Sequence, residues 1–419
     1  MSTIDTVVIG AGHAGLAVSR LLTDAGRDHV VLDRGRVAER WRTERWDSLH
    51  LLTPNWMTRL PGWWYAGPER EGYMSAGRLV RYLERYAGFF DAPVLTGTTV
   101  QEVSAHADGY RVGTDQGTWR TRHVVIATGP HGKPHVPAAL DHTPVLTSNR
   151  YRNPAQLAPG GVLVVGASAS GVQIADELSR AGRDVTVAVG RHTRMPRRYR
   201  GLDTFWWLEK TGRLARTIDT MDDPVVARGE PSLQLVGHND AERYSQDLDL
   251  ATLQSRGVRL VGRVREVHGH TVRLGDNLPA AVAAADHKMH HFLNAVDDYV
   301  DRVGLTREVW AGTRPRPVDL SATPDRLDLR AEGIGTVLVA AGYRPDHPWL
   351  RLPITAPDGS IRQQRGVTPA PGVYVVGQRF QHRRDSGFID GARHDARAVV
   401  DHLITGSDAG TLATSEEAA

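Results

Sequence analysis

The sequence has no cysteine among its 419 residues. That absence excludes a disulfide scaffold, a thiolate metal site and a redox-active cysteine pair. Redox chemistry in this chain therefore depends on a bound cofactor or metal. The sequence also lacks any run of about 18 apolar residues, so we expect no membrane-spanning helix.

A marked excess of one charge sign is missing as well, since 51 Lys and Arg residues stand against 48 Asp and Glu residues. So small an excess does not indicate nucleic-acid binding. Residues 1–5 lead into a strand without the basic region and apolar core of a signal peptide. We therefore expect a cytoplasmic protein with neither nucleic acid nor a membrane as partner.

The order strand, glycine turn, helix, strand occurs twice in the chain. The two copies occupy residues 6–9, 10–15, 14–22 and 29–33, and then residues 161–165, 166–171, 172–180 and 184–189. Because the copies lie far apart, they predict an α/β fold with two Rossmann-like dinucleotide-binding domains rather than a solenoid.

The first glycine motif has the full dinucleotide spacing. Gly10 makes the tight turn after the strand, Gly12 lets a pyrophosphate approach the backbone, and Gly15 lets the helix pack closely. Asp33 ends the second strand, where an acid accepts hydrogen bonds from a ribose. This acid makes a ligand-free glycine turn much the weaker alternative. His13 stands at a variable position of the motif, so we expect a capping or packing role for it.

The second motif departs from this pattern at its middle position. Ser168 stands between Gly166 and Gly171 where the first motif has a glycine. A serine there can still bind phosphate through its hydroxyl group, but we expect looser binding. Such a site suits a cofactor that binds and leaves at each turnover.

The strand of the second motif ends without an acid and is followed by arginines. A ribose 2′-phosphate is attracted by arginine and repelled by a carboxylate, which favours NADPH over NADH. Arg191 is the first candidate for this contact and Arg194 the second. The alternative is a solvated basic surface, because the run continues through Arg197, Arg198 and Arg200.

Two nucleotide folds in a cysteine-free chain indicate FAD as a resident cofactor and NADPH as its reductant. The reduced flavin then needs an acceptor, which leaves oxygen or a small quinone. Three functions stay open at this point: a monooxygenase, an NAD(P)H:quinone dehydrogenase or NADPH oxidase, and a flavin-binding redox sensor.

Several short segments match one known family. They are residues 10–15, 39–41, 46–49, 52–54, 125–129, 166–171, 341–345 and 387–391. Through them the chain resembles the flavin-containing monooxygenase superfamily in its bacterial flavoprotein branch, and it is similar to the plant auxin-forming flavin monooxygenases. The resemblance implies a monooxygenase that oxygenates a small organic substrate with molecular oxygen, through a C4a-(hydro)peroxyflavin.

The resemblance also implies how the domains are arranged. The NADPH domain, residues 156–319, is expected to be inserted into an FAD domain formed by residues 1–155 and 320–405. The tail, residues 406–419, is small, polar and acidic, and is expected to be disordered. A homodimer stays an open alternative for the assembly.

The resemblance further implies which residues lie near the cofactors. Those expected beside the flavin ring are Trp41, Leu52, Thr53 and Asn55, with Trp41 equally compatible with a core position. The full cofactor-binding set is Gly10, Gly12, His13, Ala14, Gly15, Asp33, Arg34, Arg40, Trp41, Thr53, Val100, Thr128, Gly129, Gly166, Ser168, Ala169, Ser170, Gly171, Arg191, His192, Arg194, Gly342, Gly377, Gln378, Ser386, Phe388 and Ile389.

Some family positions carry other residues here. Thr147 stands four residues before Tyr151 where the family fingerprint has histidine, and Leu52 occupies the place of an asparagine that many relatives use, with Asn55 nearby. Aromatic residues at 56, 63–65 and 206–207 either line an apolar substrate pocket or close the domain seam. The histidines at 287, 290 and 291 have no obvious carboxylate partner, so we expect a solvated helix face and no metal.

Overall fold

The computed structural model describes residues 1–237, 246–321 and 324–416. Its strands, in chain order, are β1 (Ser2–Ile9), β2 (His29–Leu32), β3 (Arg59–Leu60), β4 (Trp63–Trp64), β5 (Val94–Leu95), β6 (Val100–His106), β7 (Gly109–Thr114), β8 (Gly117–Ile126), β9 (Lys133–Pro134), β10 (Leu146–Thr147), β11 (Gly161–Val165), β12 (Val185–Ala188), β13 (Thr193–Arg194), β14 (Arg198–Tyr199), β15 (Leu202–Asp203), β16 (Leu233–Gln234), β17 (Arg259–Val261), β18 (Val264–His268), β19 (Thr271–Leu274), β20 (Arg326–Asp328), β21 (Ile334–Val339), β22 (Tyr343–Arg344) and β23 (Val373–Val375).

The α-helices of the same described residues are α1 (His13–Asp24), α2 (Glu39–Thr43), α3 (Ala76–Phe89), α4 (Ala169–Arg180), α5 (Thr204–Lys210), α6 (Pro224–Arg228), α7 (Leu250–Gln254), α8 (Leu278–Arg302) and α9 (Ile389–Glu416).

The first large sheet has the strand order β5-β2-β1-β8-β7-β6, and β23 also pairs with β8. Strands β5, β2, β1, β8 and β23 run parallel, while β6 and β7 form an antiparallel extension. The register sets Ile9 opposite both Leu32 and Ile126. The carboxyl ends of these strands therefore lie at one edge, where dinucleotides bind in doubly wound sheets.

The second large sheet is wholly parallel, with the order β10-β21-β11-β12-β17. Its strands all come between β8 and β23 in the chain, so one sheet is inserted into the other. The expected α/β fold with two dinucleotide-binding folds is confirmed.

The boundaries that we expected for the insertion are wrong. Strand β21 lies after residue 319 but pairs with β11, with Val339 opposite Val165, and β10 lies before residue 156 but pairs with β21. An apolar run such as residues 334–339 suits the interior of either sheet, so its composition could not assign it. The chain passes between the sheets in residues 127–145 and again in residues 340–372.

The two connecting segments run side by side where they leave the second sheet. Strands β9 and β22 pair antiparallel, with Pro134 opposite Tyr343 and Lys133 opposite Arg344. The amide of His135 also donates to the Gly342 carbonyl oxygen over 2.9 Å. The two crossings thus form one two-stranded link.

Helix α8 is amphipathic and packs one face against the rest of the fold. Met289, Phe292, Leu293 and Val296 are buried in one apolar cluster, so this face serves packing.

Helix α9 begins at Ile389 and continues to Glu416. The disorder expected from residue 406 stays a prediction. No proline interrupts this segment, so its backbone hydrogen bonds can continue. Residues 417–419 lie outside the described part. Over the described residues, no helix combines the length and hydropathy needed to cross a bilayer.

Candidate dinucleotide sites and the seam between them

The first glycine loop has a backbone that only glycine permits at its ends. Gly10 has a φ of +110°, and a Cβ there would lie 2.7 Å from the carbonyl oxygen of Ala127. A Cβ at Gly15 would overlap the carbonyl oxygen of Gly10. The tight turn and the close helix packing that we expected at these positions are therefore present.

Gly12 differs from its neighbours because its missing side chain faces open space. A Cβ at this position would meet no heavy atom within 4 Å. Gly12 also precedes α1 and no side chain caps that helix, so the amides of its first turn face the same space. Open space in front of unpaired N–H groups and a positive helix end fits a pyrophosphate.

Asp33 is held beside this loop. Its Oδ2 accepts from the Ala11 amide over 2.7 Å, and its Oδ1 accepts from the Gly35 amide over 2.9 Å. A carboxylate oxygen has a second lone pair, so both atoms can still accept from a ribose hydroxyl. The acid and the loop thus form one unit, as their spacing predicts.

Three residues in or near this loop have a buried polar atom without a hydrogen-bond partner in the described part of the chain. The atoms are Nε2 of His13, Nη1 of Arg40 and Nε2 of Gln378. Burial of such atoms costs free energy unless a ligand or water pairs with them. Two of these side chains can donate to phosphate or hydroxyl oxygens, so the residues present fit an FAD molecule.

Histidines near the loop are neutral and have cationic neighbours. Burial lowers the pKa of His13 to about 4. Burial lowers the pKa of His131 to about 3, and the positive charges of Arg45, Arg40 and Arg379 add to this effect. A cluster of cations against neutral imidazoles complements a doubly charged pyrophosphate. Of the two roles expected for His13, capping is excluded, because Gly12 is the N-cap of α1.

The other residues expected at the first site lie in three places. Gly377, with a φ of +82°, touches the first turn of α1, since a Cβ there would lie 2.8 Å from Cβ of Ala14. The hydroxyl oxygen of Ser386 accepts from the amides of His382 and Arg383, and Ile389 begins α9. Thr128 and Gly129 follow β8 at the edge that carries the loop.

The candidates for the flavin ring are partly explained by packing. The guanidinium of Arg45 lies 5.2 Å from the ring centroid of Trp41. Asn55 is fully buried, and its Nδ2 donates to the Glu69 carbonyl oxygen over 2.8 Å while Oδ1 has no partner. Thr53 is half-buried in the same loop, after Leu52.

Two expected cofactor residues have evident structural roles. Val100 is the first residue of β6, lies opposite Thr114 and packs on the core of the first sheet. Arg34 is exposed and forms an ion pair with Glu44 over 3.0 Å. These contacts account for both side chains without a ligand.

The second glycine loop repeats the backbone of the first. Gly166 has a φ of +116°, and a Cβ at Gly171 would overlap the carbonyl oxygen of Gly166. Ser168 has φ −84° and ψ −173°, against −82° and −177° at Gly12. Its side chain makes no capping hydrogen bond with α4, which begins with Ala169 and Ser170. The serine therefore alters the surface of the loop and leaves its backbone unchanged.

The arginines after the second loop divide into an exposed and a buried group. Arg191 is exposed, and burial lowers the pKa of the adjacent His192, whose Nδ1 lies 3.1 Å from the Gly190 carbonyl oxygen. Arg194 is only 1% exposed; its Nε pairs with Asp249 and its Nη1 with Asp286, both over 2.7 Å. The expected contact of Arg194 with a ribose phosphate is therefore wrong, because two carboxylates already hold its guanidinium.

Arg197 belongs to the run that could have been a solvated basic surface, but it is buried. Its Nη1 donates to the Leu52 carbonyl oxygen over 2.9 Å, and its Nη2 pairs with Asp203 over 2.7 Å. Its guanidinium also lies 4.9 Å from the ring centroid of Tyr73. Because Leu52 and Tyr73 precede the inserted sheet in the chain, Arg197 ties the insertion to the loop expected beside the flavin.

The aromatic residues of the loops also divide into two groups, according to what they pack against. Trp56, Trp206 and Trp207 belong to one apolar cluster with Phe205 and Phe292. We call it the seam cluster, because it contains residues from the inserted unit and from the rest of the chain. Trp63 packs instead on the aromatic rings of α3, and Trp64 is exposed. The first group therefore lies where the inserted unit meets the rest of the chain, and both expected roles stay open for it. The second group lies away from this seam.

The histidines at 287, 290 and 291 are exposed on α8. Within residues 1–237, 246–321 and 324–416, no three ligating side chains form a group that could hold a metal.

Two dinucleotide folds, one inserted into the other and joined by a paired link, define a flavin-dependent oxidoreductase that uses a pyridine nucleotide. The model of the pyridine nucleotide-disulphide oxidoreductase family matches residues 7–203. The chain is 28% identical to a CzcO-like oxidoreductase of Geobacillus kaustophilus, over 96% of this chain and 98% of that one.

The chain is also 31% identical to the indole-3-pyruvate monooxygenase YUCCA4 of Oryza sativa, over 95% of this chain and 87% of that one. It therefore belongs to the flavin-containing monooxygenase superfamily, which includes the YUCCA proteins. The solved flavin-containing monooxygenase of Stenotrophomonas maltophilia has the same fold, with a TM-score of 0.65, 21% identity, and coverage of 97% of this chain and 99% of that one. The expected cofactors, FAD and NADPH, are confirmed at the level of the family.

Proposed function

We propose that the protein is an NADPH-dependent flavin monooxygenase that oxygenates a small organic molecule. The observation that carries the proposal is the pair of unequal glycine loops in a chain that aligns with a monooxygenase over most of its length. The reaction consumes one NADPH, one proton and one O₂ per substrate, and releases NADP⁺, water and the oxygenated product. When bound, FAD accepts the hydride and activates the oxygen.

The chain's own residues then bind, orient and exclude water. Gly12 and the first turn of α1 would hold the FAD pyrophosphate, with Asp33 on the ribose and the cations around His131 balancing the phosphate charge. Gly377 allows the segment with Gln378 to approach that helix end. This arrangement contains many fixed contacts, which suits a cofactor that stays bound.

The second site would hold NADPH less firmly. The first turn of α4 would bind its pyrophosphate, and the exposed Arg191 would contact the 2′-phosphate. No acid follows β12 to repel this phosphate. Arg197 would keep the Leu52 loop in place at the flavin while the nicotinamide binds and leaves.

The seam supports an apolar substrate. Phe388 lies edge-on to Phe205 at a centroid distance of 5.8 Å, and Trp56 and Trp206 pack on the same cluster. These side chains join the segment expected at the flavin to the inserted unit. A substrate bound there would contact aromatic surface close to the flavin, shielded from water.

Oxygen transfer is tested with isotopically labelled oxygen. The FAD-loaded protein is given NADPH, ¹⁸O₂ and a panel of amines, sulfides, ketones and indoles. We expect one labelled oxygen atom in a product and substrate-dependent NADPH consumption that exceeds peroxide release. Peroxide equal to the NADPH consumed with every substrate would identify an oxidase. Rapid NADPH oxidation only with added quinone would identify a dehydrogenase, and tight FAD binding with negligible turnover would favour a sensor.

The cytoplasmic location of the protein stays a prediction.

A further inference from the structure

A buried glutamine beside the second loop has an unused acceptor. Gln234 is fully buried on β16, and its Nε2 donates to the carbonyl oxygen of Ala167 over 2.6 Å. Its Oε1 is buried as well and has no hydrogen-bond partner among the described residues. A carbonyl oxygen accepts and cannot donate, so the contact with Ala167 fixes which end of the amide is which.

The chemistry of the unused atom restricts what can bind it. A buried acceptor without a partner is destabilising until a donor reaches it. Oε1 can be satisfied only by a hydroxyl or an N–H group. Phosphate oxygens at neutral pH have little to donate, so the pyrophosphate expected at the start of α4 does not satisfy it. The donors of a nicotinamide dinucleotide are its ribose hydroxyls and its two amino groups.

The course of the chain indicates which half of the cofactor lies near Gln234. Strand β16 pairs with β13, and the chain then leads to Gly237, where a Cβ would meet the Leu51 carbonyl oxygen and the Tyr73 ring. Those atoms precede the inserted sheet and adjoin the loop expected at the flavin. Gln234 thus stands between the second glycine loop and the flavin side of the seam, whereas the exposed Arg191 is the group suited to the adenosine 2′-phosphate.

We propose that Oε1 of Gln234 accepts a hydrogen bond from the nicotinamide half of NADPH, through either its ribose hydroxyls or its carboxamide. Gln234 then positions the nicotinamide relative to the flavin, in addition to bracing the loop at Ala167. The proposal rests on the proposed use of the second loop for NADPH.

Three ligands that contain different donor groups show which part of the cofactor contacts Gln234. NADP⁺ contains all the donors, 2′-phospho-ADP-ribose lacks the nicotinamide, and 2′,5′-ADP lacks the whole nicotinamide half. Their dissociation constants are measured by titration calorimetry on the oxidised, FAD-loaded protein and on its Gln234→Met variant, which has an unbranched apolar side chain. We expect NADP⁺ to bind about tenfold more weakly to the variant, and 2′,5′-ADP to bind equally well.

The intermediate ligand identifies the donor. A similar loss for 2′-phospho-ADP-ribose assigns the contact to the ribose hydroxyls, and an unchanged constant assigns it to the carboxamide. Gln173→Met is the matched control, because Gln173 is buried on α4 and its Nε2 donates to the Leu235 carbonyl oxygen over 2.7 Å. It removes a similar amide–backbone bond, so we expect a similar loss of thermal stability and no selective loss of NADP⁺.

A second variant tests the same contact in case Gln234→Met does not fold. Gln234→Asn keeps an amide in the strand but withdraws the acceptor by one methylene, so NADP⁺ should again be weakened selectively. An unchanged NADP⁺ constant, or an equal loss for 2′,5′-ADP, would overturn the role of Gln234 while leaving the cofactor assignment intact. Failure of the unaltered protein to bind any of the three ligands would overturn the cofactor assignment and this role together.

Discussion

The two glycine loops of this protein have the same backbone and different surroundings. Gly10 and Gly166 share a positive φ, and the residue two positions later has nearly the same φ and ψ in both loops. The first loop is joined to Asp33 through the Ala11 amide, whereas the second is joined to Gln234 through the Ala167 carbonyl oxygen. Turn geometry is thus set by the outer glycines, and the ligand is selected by the side chains around them.

The middle position of the loops also shows that backbone conformation and ligand contact are separate requirements. Its backbone is extended and open to any residue, so a glycine there is not required by conformation. It is required only when a ligand must come close to the chain. We therefore expect the two loops to respond differently to changes at the middle position and similarly to changes at their ends.

The largest effect is expected inside the arginine run that follows the second loop. Arg194→Ala leaves Asp249 and Asp286 without their buried partner, which should lower the free energy of unfolding by about 3–5 kcal/mol. Arg191→Ala removes an exposed side chain and should change it by less than about 0.5 kcal/mol. Urea unfolding of both variants measures the difference. Equal stability of the two would contradict the division into buried and exposed groups.

The next largest effect concerns the open space in front of Gly12. Gly12→Val places its Cβ where no heavy atom of the described residues lies within 4 Å, so the fold should persist. FAD should bind at least about 100-fold more weakly, because the methyl groups occupy the space of the pyrophosphate. The ratio of flavin to protein absorbance after gel filtration reports the loss. Ser168→Val is the control in the other loop, and it should retain FAD while losing NADP⁺.

A smaller effect is expected on the choice between the two nicotinamide cofactors. Arg191→Ala should lower kcat/KM for NADPH by about tenfold, since one charge-assisted contact is removed. The value for NADH, which lacks the 2′-phosphate, should hardly change. Steady-state consumption of NADPH and of NADH in air gives both values. Parallel losses for the two cofactors would mean that Arg191 does not recognise the phosphate.

The smallest effect concerns the difference between the two loops at their middle position. Ser168→Gly gives the second loop the middle residue of the first, with the backbone already in the same conformation. NADP⁺ should then bind about threefold more tightly, because the backbone can come closer to the phosphates. Calorimetry detects such a change. Weaker binding would show that the serine hydroxyl contributes a phosphate contact that outweighs the closer approach.

Local features of the fold followed from the sequence, and long-range features did not. The glycine spacing and the acid at residue 33 depend on neighbouring residues alone, so both loops and their helices were predictable. The burial of Arg194 depends on carboxylates 55 and 92 residues away in the chain, and no local pattern marks such partners. The burial of Arg197 was missed for a similar reason, because Leu52 is 145 residues away.

The boundary of the inserted unit shows a second limit. An apolar strand satisfies either parallel sheet, and only its hydrogen-bonded neighbours decide between them. Residues 334–339 were therefore assigned to the wrong sheet. Gln234 shows a third limit, because a single glutamine between Leu233 and Leu235 has no pattern of its own. Its significance comes from an atom that the fold buries and leaves unpaired.

The paired link formed by β9 and β22 has a consequence for the encounter of the two cofactors. A unit held by two adjacent strands stays beside its neighbour, whereas a unit on one long tether can move away from it. The hydride donor therefore meets the flavin at a fixed, high effective concentration, independent of how dilute the protein is. Once an NADPH molecule has bound its own site, the link already holds that site close to the flavin.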